Sequence, residues 1–102
     1  MSTDIVKNMQ QGASKAVPLL KVMAHEKRLT ILCSLMDKEM AVGPLSEQVG
    51  IRQATLSQHL AALRHQGLVK TRRDAQTVYY RLDNENVARM IALLHELFCE
   101  QI

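Results

Sequence analysis

The sequence has little aromatic mass and few residues that break secondary structure. Its 102 residues include no Trp, one Phe and two Tyr, together with four Gly and two Pro. Hydrophobic residues still make up 47% of the chain, so the apolar mass is mostly aliphatic side chains and Met. This composition favours helices over a β-sandwich core, and the length predicts one small domain. Because such a domain buries only about 60 to 65% of its unfolded surface, association with a second copy is a plausible source of further burial.

Cysteines and long apolar runs are also scarce. Two Cys cannot form the disulfide framework of a small secreted protein, and neither a signal-peptide pattern nor an apolar run of about 18 residues occurs. We therefore expect a cytoplasmic protein with reduced thiols and no membrane partner. The sequence lacks a Cys-x-x-Cys motif, a glycine-rich phosphate loop, paired catalytic carboxylates and a Ser/His/Asp set. We expect no enzyme, no catalytic residue and no cofactor.

Positive charge is unevenly distributed along the chain. The formal net charge is only +3, but residues 52–81 contain six basic side chains and one acidic side chain. The remainder of the chain has more acidic than basic groups. A concentrated basic block suggests a face that binds a polyanion, although charge alone fits a solvated run of charged residues equally well.

Apolar side chains recur at helical spacing in five segments. The first four predicted helices cover residues 3–23, 26–37, 45–49 and 52–66. A last helix, capped by Asp83 or Asn84, carries its apolar positions between Val87 and Phe98. We expect Pro18 to kink or restart the first helix, and Gly43-Pro44 to break the chain before the third.

Two features suggest a DNA-binding fold. The helices on either side of Gly50 have the spacing of a helix-turn-helix over residues 45–66, although an ordinary helical hairpin has the same periodicity. Two β-branched and aromatic runs follow, separated by residues 73–76, and predict a β-hairpin over residues 68–82. A basic hairpin directly after a helix-turn-helix is typical of a wing. The predicted fold class is mainly α with a small β-hairpin.

The side of the fourth helix opposite Leu56, Leu60 and Leu63 is predicted to enter the major groove. Gln can bond adenine, Thr and Ser can serve bases or phosphates, and Ala can touch a thymine methyl group. For each of these side chains a surface role is the alternative, and for His59 a packing role is nearly as good. The residues predicted to contact DNA are Arg52, Gln53, Ala54, Thr55, Ser57, Gln58, His59 and Arg64, with Arg72, Arg73, Gln76 and Thr77 near the hairpin tip.

These residues resemble a known family. The segments that begin His25-Glu-Lys-Arg and Leu45-Ser-Glu-Gln, and above all Ser57-Gln58-His59-Leu60, are similar to the ArsR/SmtB winged-helix repressors. The likeness extends over about residues 15–100 and implies a single winged helix-turn-helix domain over residues 1–102. It further implies a homodimer built from the first and last helices. Such a dimer binds an imperfect inverted repeat in double-stranded DNA as a repressor, and a chemical signal releases it.

The resemblance also indicates where a metal would bind, and both places lack the necessary ligands. Some members carry a Cys-x-Cys motif at the start of the third helix, whereas the corresponding residues 40–45 contain no thiol. Others hold zinc on the last helix with Asp-x-His and His-x-x-Glu pairs. Here position 85 is Glu, and the residue three after His95 is Phe98. We therefore expect no metal site in these helices.

Cys33 and Cys99 resemble the cysteine pair of the HlyU/BigR/SqrR-like subgroup, which responds to persulfides or other oxidants. The resemblance implies that oxidation or a polysulfide link between the two cysteines releases the operator. Taken alone, Cys33 on an apolar face is better explained as a small core residue. The alternatives are a metal-sensing repressor of the same family and an activator that displaces a DNA-coating protein.

Overall fold

The structure is a computed structural model that describes residues 3–99. Within this range the chain is mainly helical with one small sheet, as predicted. The helices are α1 (Thr3–Met23), α2 (Glu26–Ser34), α3 (Val42–Val49), α4 (Gln53–His65) and α5 (Glu85–Phe98). The strands are β1 (Met40–Ala41), β2 (Val69–Asp74) and β3 (Thr77–Leu82). Residues 1–2 and 100–102 of the predicted domain lie outside the described residues.

Helices α3 and α4 form the helix-turn-helix. Gly50 ends α3 in the left-handed conformation with φ of 78°, and its N–H donates to the Ser46 carbonyl at 2.8 Å. A residue with a side chain adopts this conformation at a cost, which explains glycine at this position. Leu45 of α3 and Leu56 of α4 are both fully buried, so the two helices pack on the same core.

The sheet is antiparallel and has the strand order β1-β3-β2. Strands β2 and β3 pair from Val69 with Leu82 to Asp74 with Thr77, and they form the wing. Strand β1 pairs Met40 with Tyr80, a contact that the sequence did not predict. Tyr80 packs against the core.

The core is aliphatic and lies between α2, α3, α4, α5 and the sheet. Its fully buried side chains include Ile31 and Leu32 of α2 and Ile91 of α5. Among the residues of α1, only Met23 at its C-terminal end is buried. Large apolar side chains therefore remain exposed on two helices: Ile5, Val6, Met9, Val17 and Leu20 on α1, and Leu93, Leu97 and Phe98 on α5.

Neither proline interrupts a helix, in contrast to the prediction of a helix restart at Pro18 and a break before the third helix at Pro44. Helix α1 continues through Pro18 without a restart, because proline removes only one N–H donor and this position is exposed. Pro44 lies in the first turn of α3, where no intrahelical N–H bond is needed. The helix-turn-helix therefore spans residues 42–65 instead of 45–66.

Two other boundaries also differ from the prediction. Helix α2 ends at Ser34 instead of residue 37, and Ile31 and Leu32 of the helix are buried together with its C-cap, Leu35. Strand β2 reaches Asp74, so the hairpin closes through two residues instead of the predicted four. The first of these, Ala75, has φ of 56°, which permits the tight turn.

Candidate nucleic-acid interface and cysteine site

The leading turns of α4 carry a polar face that is open to solvent. Arg52 is the N-cap of this helix, and Leu56 is fully buried beneath it. The structure brings together five of the residues predicted to read bases, and all are exposed: Gln53, Ala54, Thr55, Ser57 and Gln58. Arg64, in the last turn, is also exposed. This face is free to meet the edges of base pairs.

His59 has a different environment from the other predicted contacts. Its Nδ1 accepts a hydrogen bond of 3.1 Å from Arg28 Nε, and its ring centroid lies 4.8 Å from that of His25. Arg28 also donates to the Val22 carbonyl at 3.3 Å. Burial and the charge of Arg28 lower the pKa of His59. The ring therefore connects the recognition helix α4 to the start of α2, which agrees with a packing role.

The wing carries two neighbouring arginines in different environments. Arg72 Nε donates to both carboxylate oxygens of Glu39, at 3.0 and 3.2 Å, and its guanidinium carbon lies 4.7 Å from the centroid of the Tyr79 ring. These hydrogen bonds lower the pKa of Glu39 and raise that of Arg72. The side chain of Arg73 is exposed and makes no hydrogen bond or ion pair with the described part of the chain. Gln76 and Thr77, at the turn, are exposed as well.

Sequence reasoning did not identify three of these partners. Arg28, His25 and Glu39 each act on a predicted DNA-contacting residue, and no local pattern indicates these pairings, although His25 and Arg28 lie in a segment that carries the family resemblance. Arg28 lies 31 positions from His59, and Glu39 lies 33 positions from Arg72. Pairings of this kind depend on the tertiary fold, so only the charge of these side chains could have hinted at them.

The two cysteines, 66 positions apart in sequence, line one cavity. The cavity lies between α2 and α5, has a volume of about 500 Å³, and contains both free thiols in its wall. Cys33 is partly buried, whereas Cys99 is exposed. Burial raises the pKa of the Cys33 thiol, and the nearby Cys99 raises it further. The remaining lining residues are Leu29, Thr30, Ile91, Leu94, His95 and Phe98.

The acidic and histidine side chains do not converge in the same way. Within residues 3–99, no three His, Cys, Asp or Glu side chains lie close enough to hold a metal ion. No helix in this range is long and apolar enough to cross a membrane.

Together, the helix-turn-helix, the basic wing and the exposed polar face of α4 define a winged-helix DNA-binding protein. The sequence model for the bacterial regulatory proteins of the arsR family matches residues 25–71, from the start of α2 into β2. With the relatives described next, this match shows that the chain belongs to the arsR family. It is a DNA-binding transcriptional regulator, and its relatives are regulators rather than enzymes.

Two curated relatives cover nearly the whole chain. The transcriptional activator HlyU of Vibrio cholerae is 53% identical over 93% of this chain and 88% of its own length. The biofilm growth-associated repressor of Xylella fastidiosa is 40% identical over 92% of this chain and 82% of its own length. Similar sequences thus include one protein named as an activator and one named as a repressor.

Solved structures have the same fold. Reduced HlyU from Vibrio cholerae superimposes with a TM-score of 0.85 at 53% identity, covering 92% of this chain and 99% of that one. The homodimeric winged helix-turn-helix domain of Mb0332 from Mycobacterium bovis superimposes with a TM-score of 0.78 at 32% identity, covering 95% and 86% of the two chains. The predicted winged helix-turn-helix fold is confirmed.

Proposed function

We propose that the protein is a homodimeric, cytoplasmic repressor of transcription that leaves its operator when Cys33 and Cys99 become covalently linked. The observation that carries the proposal is the single cavity lined by both thiols. A covalent link between two cysteines requires their thiols to lie near each other, and residues 66 positions apart come together only through the fold.

The DNA contacts in this proposal come from α4 and the wing. Gln53 and Gln58 reach base edges, since an amide side chain can bond adenine through two hydrogen bonds. Arg73 and the exposed residues of the turn contact phosphate or enter the adjacent minor groove. The remaining proposed contacts are Arg52, Ala54, Thr55, Ser57, His59, Arg64, Arg72, Gln76 and Thr77.

The dimer in this proposal is formed by α1 and α5. Both helices expose large apolar side chains that one chain leaves uncovered, among them Met9 and Leu97. Burial of such residues against a second copy is favourable, and a similar winged domain from Mycobacterium bovis is homodimeric. A two-fold dimer would hold its recognition helices about one DNA turn, roughly 34 Å, apart, facing an imperfect inverted repeat.

The switch acts through α2. A covalent link between Cys33 and Cys99 would tie α2 to the end of α5, and α2 is hydrogen-bonded to the recognition helix through Arg28 and His59. A shift of α2 would therefore move α4 relative to its partner in the dimer. Because burial raises the pKa of Cys33, the proposal assigns the first attack to the exposed Cys99.

Intact-mass spectrometry combined with operator binding tests this function. In the reduced state, the parent protein and both variants, Cys33→Ser and Cys99→Ser, should bind the operator. After treatment with a persulfide, only the parent should leave the operator, and its mass should show an internal link between the two cysteines. Ser34→Ala is the matched control, because Ser34 neighbours Cys33 and its hydroxyl donates to the Thr30 carbonyl of the same helix. Persulfide release of either cysteine variant would overturn the two-cysteine switch. Stoichiometric binding of Zn²⁺ or Cu⁺ that releases the operator would favour a metal sensor instead.

Activation is the second candidate, because the 53% identical relative is named as an activator. An activator that displaces a DNA-coating protein would use the same contacts as a repressor. Transcription in vitro separates the two functions. A repressor lowers transcription from bare operator DNA, whereas a displacing activator raises it only when the coating protein is present.

A further inference from the structure

The cavity shared by the two cysteines has an apolar wall. Leu29, Ile91, Leu94 and Phe98 provide most of it, and its polar side chains besides the thiols are Thr30 and His95. Among residues 3–99, which the structure describes, no Asp, Glu, Lys or Arg lines it. A charged molecule that entered would lose water without gaining an opposite charge, which is strongly unfavourable, whereas an apolar molecule would gain from the same burial.

We propose that this cavity selects neutral, apolar carriers of sulfane sulfur over charged carriers as the reactants of the cysteine pair. The inference rests on the proposed function, because it names the class of molecule that oxidises the two thiols. A dialkyl trisulfide or an alkyl persulfide fits this class. Glutathione carriers, which bear several carboxylates and ammonium groups, do not.

Long-range attraction by the charge of the whole protein would give the opposite preference. The formal net charge of +3 attracts anionic molecules at long range, and so would favour a glutathione carrier. A preference for apolar carriers therefore has to arise where the carrier is desolvated. Partial burial also raises the pKa of Cys33, as expected for a thiol in such surroundings.

The reaction balances with a trisulfide R–S–S–S–R as the oxidant. The thiolate of one cysteine attacks the central sulfur and releases one thiol R–SH, which leaves the cysteine joined to –S–S–R. The second cysteine attacks the same sulfur and releases the other R–SH. Two sulfur–sulfur bonds break and two form, the two cysteine protons pass to the leaving thiols, and one sulfur remains between Cys33 and Cys99. The cysteine pair is oxidised and the carrier is reduced.

Rates of link formation with dipropyl trisulfide and with glutathione trisulfide test this inference. Both reagents react by the same chemistry, and their rates with N-acetylcysteine amide correct for intrinsic reactivity. After this correction, the reduced protein should react with dipropyl trisulfide about tenfold faster or more, which corresponds to about 1.4 kcal/mol of discrimination. Equal corrected rates, or faster reaction with glutathione trisulfide, would overturn the inference.

A pair of lysine variants tests the location of the selectivity. Thr30 is exposed at the cavity wall, and its hydroxyl donates to the Glu26 carbonyl, so Thr30→Lys adds a positive charge there. Ser14→Lys adds the same charge on α1, where Ser14 is exposed and its hydroxyl donates to the Gln11 carbonyl. Thr30→Lys should reduce the corrected preference several-fold, and Ser14→Lys should leave it unchanged. Equal effects of the two variants would assign selectivity to overall charge and overturn the role of the cavity.

Failure of the proposed function has a different signature. If the operator is released without Cys33 or Cys99, the two-cysteine switch is wrong whatever the relative rates. If release requires both cysteines but the corrected rates are equal, the switch stands and only the selectivity is wrong.

Discussion

Glu39 accepts hydrogen bonds from Arg72 Nε through both of its carboxylate oxygens, and so connects the segment before β1 to the wing. The same guanidinium lies over the ring of Tyr79, its partner in the β2–β3 pairing. Arg73, the next residue, has no such partner in the described part of the chain. Two adjacent arginines of equal charge are therefore expected to contribute differently to DNA binding.

Arg73→Ala should reduce the salt dependence of operator binding more than Arg72→Ala. Each lost phosphate contact removes about 0.9 unit from the slope of log K against log salt concentration. We expect a loss near this value for Arg73→Ala, and a much smaller loss for Arg72→Ala because Glu39 already neutralises that guanidinium. Glu39→Gln is the control, since it leaves the charge of Arg72 uncompensated and should steepen the slope. Titrations at several salt concentrations measure all three, and equal losses for the two arginines would contradict the prediction.

Gln58→Ala should weaken binding to the operator by about 1 to 3 kcal/mol at particular base pairs, because an amide that bonds a base edge carries sequence information. Binding to random DNA should change little. Gln11→Ala is the matched control, since Gln11 is an exposed glutamine on α1. Competition titrations against single-base operator variants provide the measurement. An equal loss on operator and random DNA would show that Gln58 does not read bases.

Two glycine substitutions should change stability in opposite directions. Gly50 has φ of 78° and Gly12 lies inside α1, and a Cβ atom added at either position meets nothing within 4 Å. Gly50→Ala should therefore cost about 1 to 2 kcal/mol from the left-handed backbone alone. Gly12→Ala should add about 0.5 to 1 kcal/mol, because alanine favours the helix. Urea unfolding at one fixed protein concentration measures both. A shift of the same sign for both variants would contradict the argument.

Much of the fold was predictable from signals that lie within a few residues of each other. Leu56, Leu60 and Leu63 recur at helical spacing, and all three are fully buried in α4. Gly50 ends α3 and Asn84 caps α5 as their residue types indicate, the latter by accepting from the Val87 N–H at 3.1 Å. The exposed face of the recognition helix follows from the same periodicity.

The remaining features depend on contacts between distant segments. Strand β1 contains only two residues and pairs with Tyr79 and Tyr80, nearly 40 positions away, so it has no periodicity of its own. The hydrogen bonds of His59 and Arg72 likewise join separate elements. The restart predicted at Pro18 does not occur, since neighbouring turns keep a helix continuous when a single bond is lost at an exposed position.

Leu97→Glu should shift the protein from dimer towards monomer. Leu97 is 62% exposed on α5, and the proposed dimer buries it against the second copy, where a carboxylate would lose its water without an opposite charge. Gln48→Glu adds the same charge at an exposed position of α3 and should leave the dimer intact. Sedimentation velocity at micromolar concentration measures the effect. A parent protein that sediments as an 11.5 kDa species would contradict the proposed dimer.

His59→Gln should flatten the pH dependence of stability on the acidic side of neutrality. Burial, the charge of Arg28 and the neighbouring His25 hold the pKa of His59 below its ordinary value of 6.5. As the pH falls below that value, the unfolded chain binds a proton that the folded protein resists, so the free energy of unfolding decreases until the lowered pKa is reached. Above pH 6.5, this residue is neutral in both the folded and the unfolded chain, so its contribution to the free energy of unfolding is constant. Glu39 does not obscure the effect. Its pKa is lowered from the ordinary value of 4.5, so the ionised carboxylate stabilises the fold throughout the range above pH 4.5.

The glutamine in this variant keeps an acceptor for Arg28 but cannot titrate, so packing and charge are separated. Urea unfolding of parent and variant between about pH 5 and about pH 8 should show a smaller loss of stability in the variant on the acidic side. His65→Gln, an exposed position in the last turn of α4, is the control and should follow the parent. If His59→Gln loses as much stability as the parent between pH 7 and pH 5, protonation of His59 does not break its contact with Arg28.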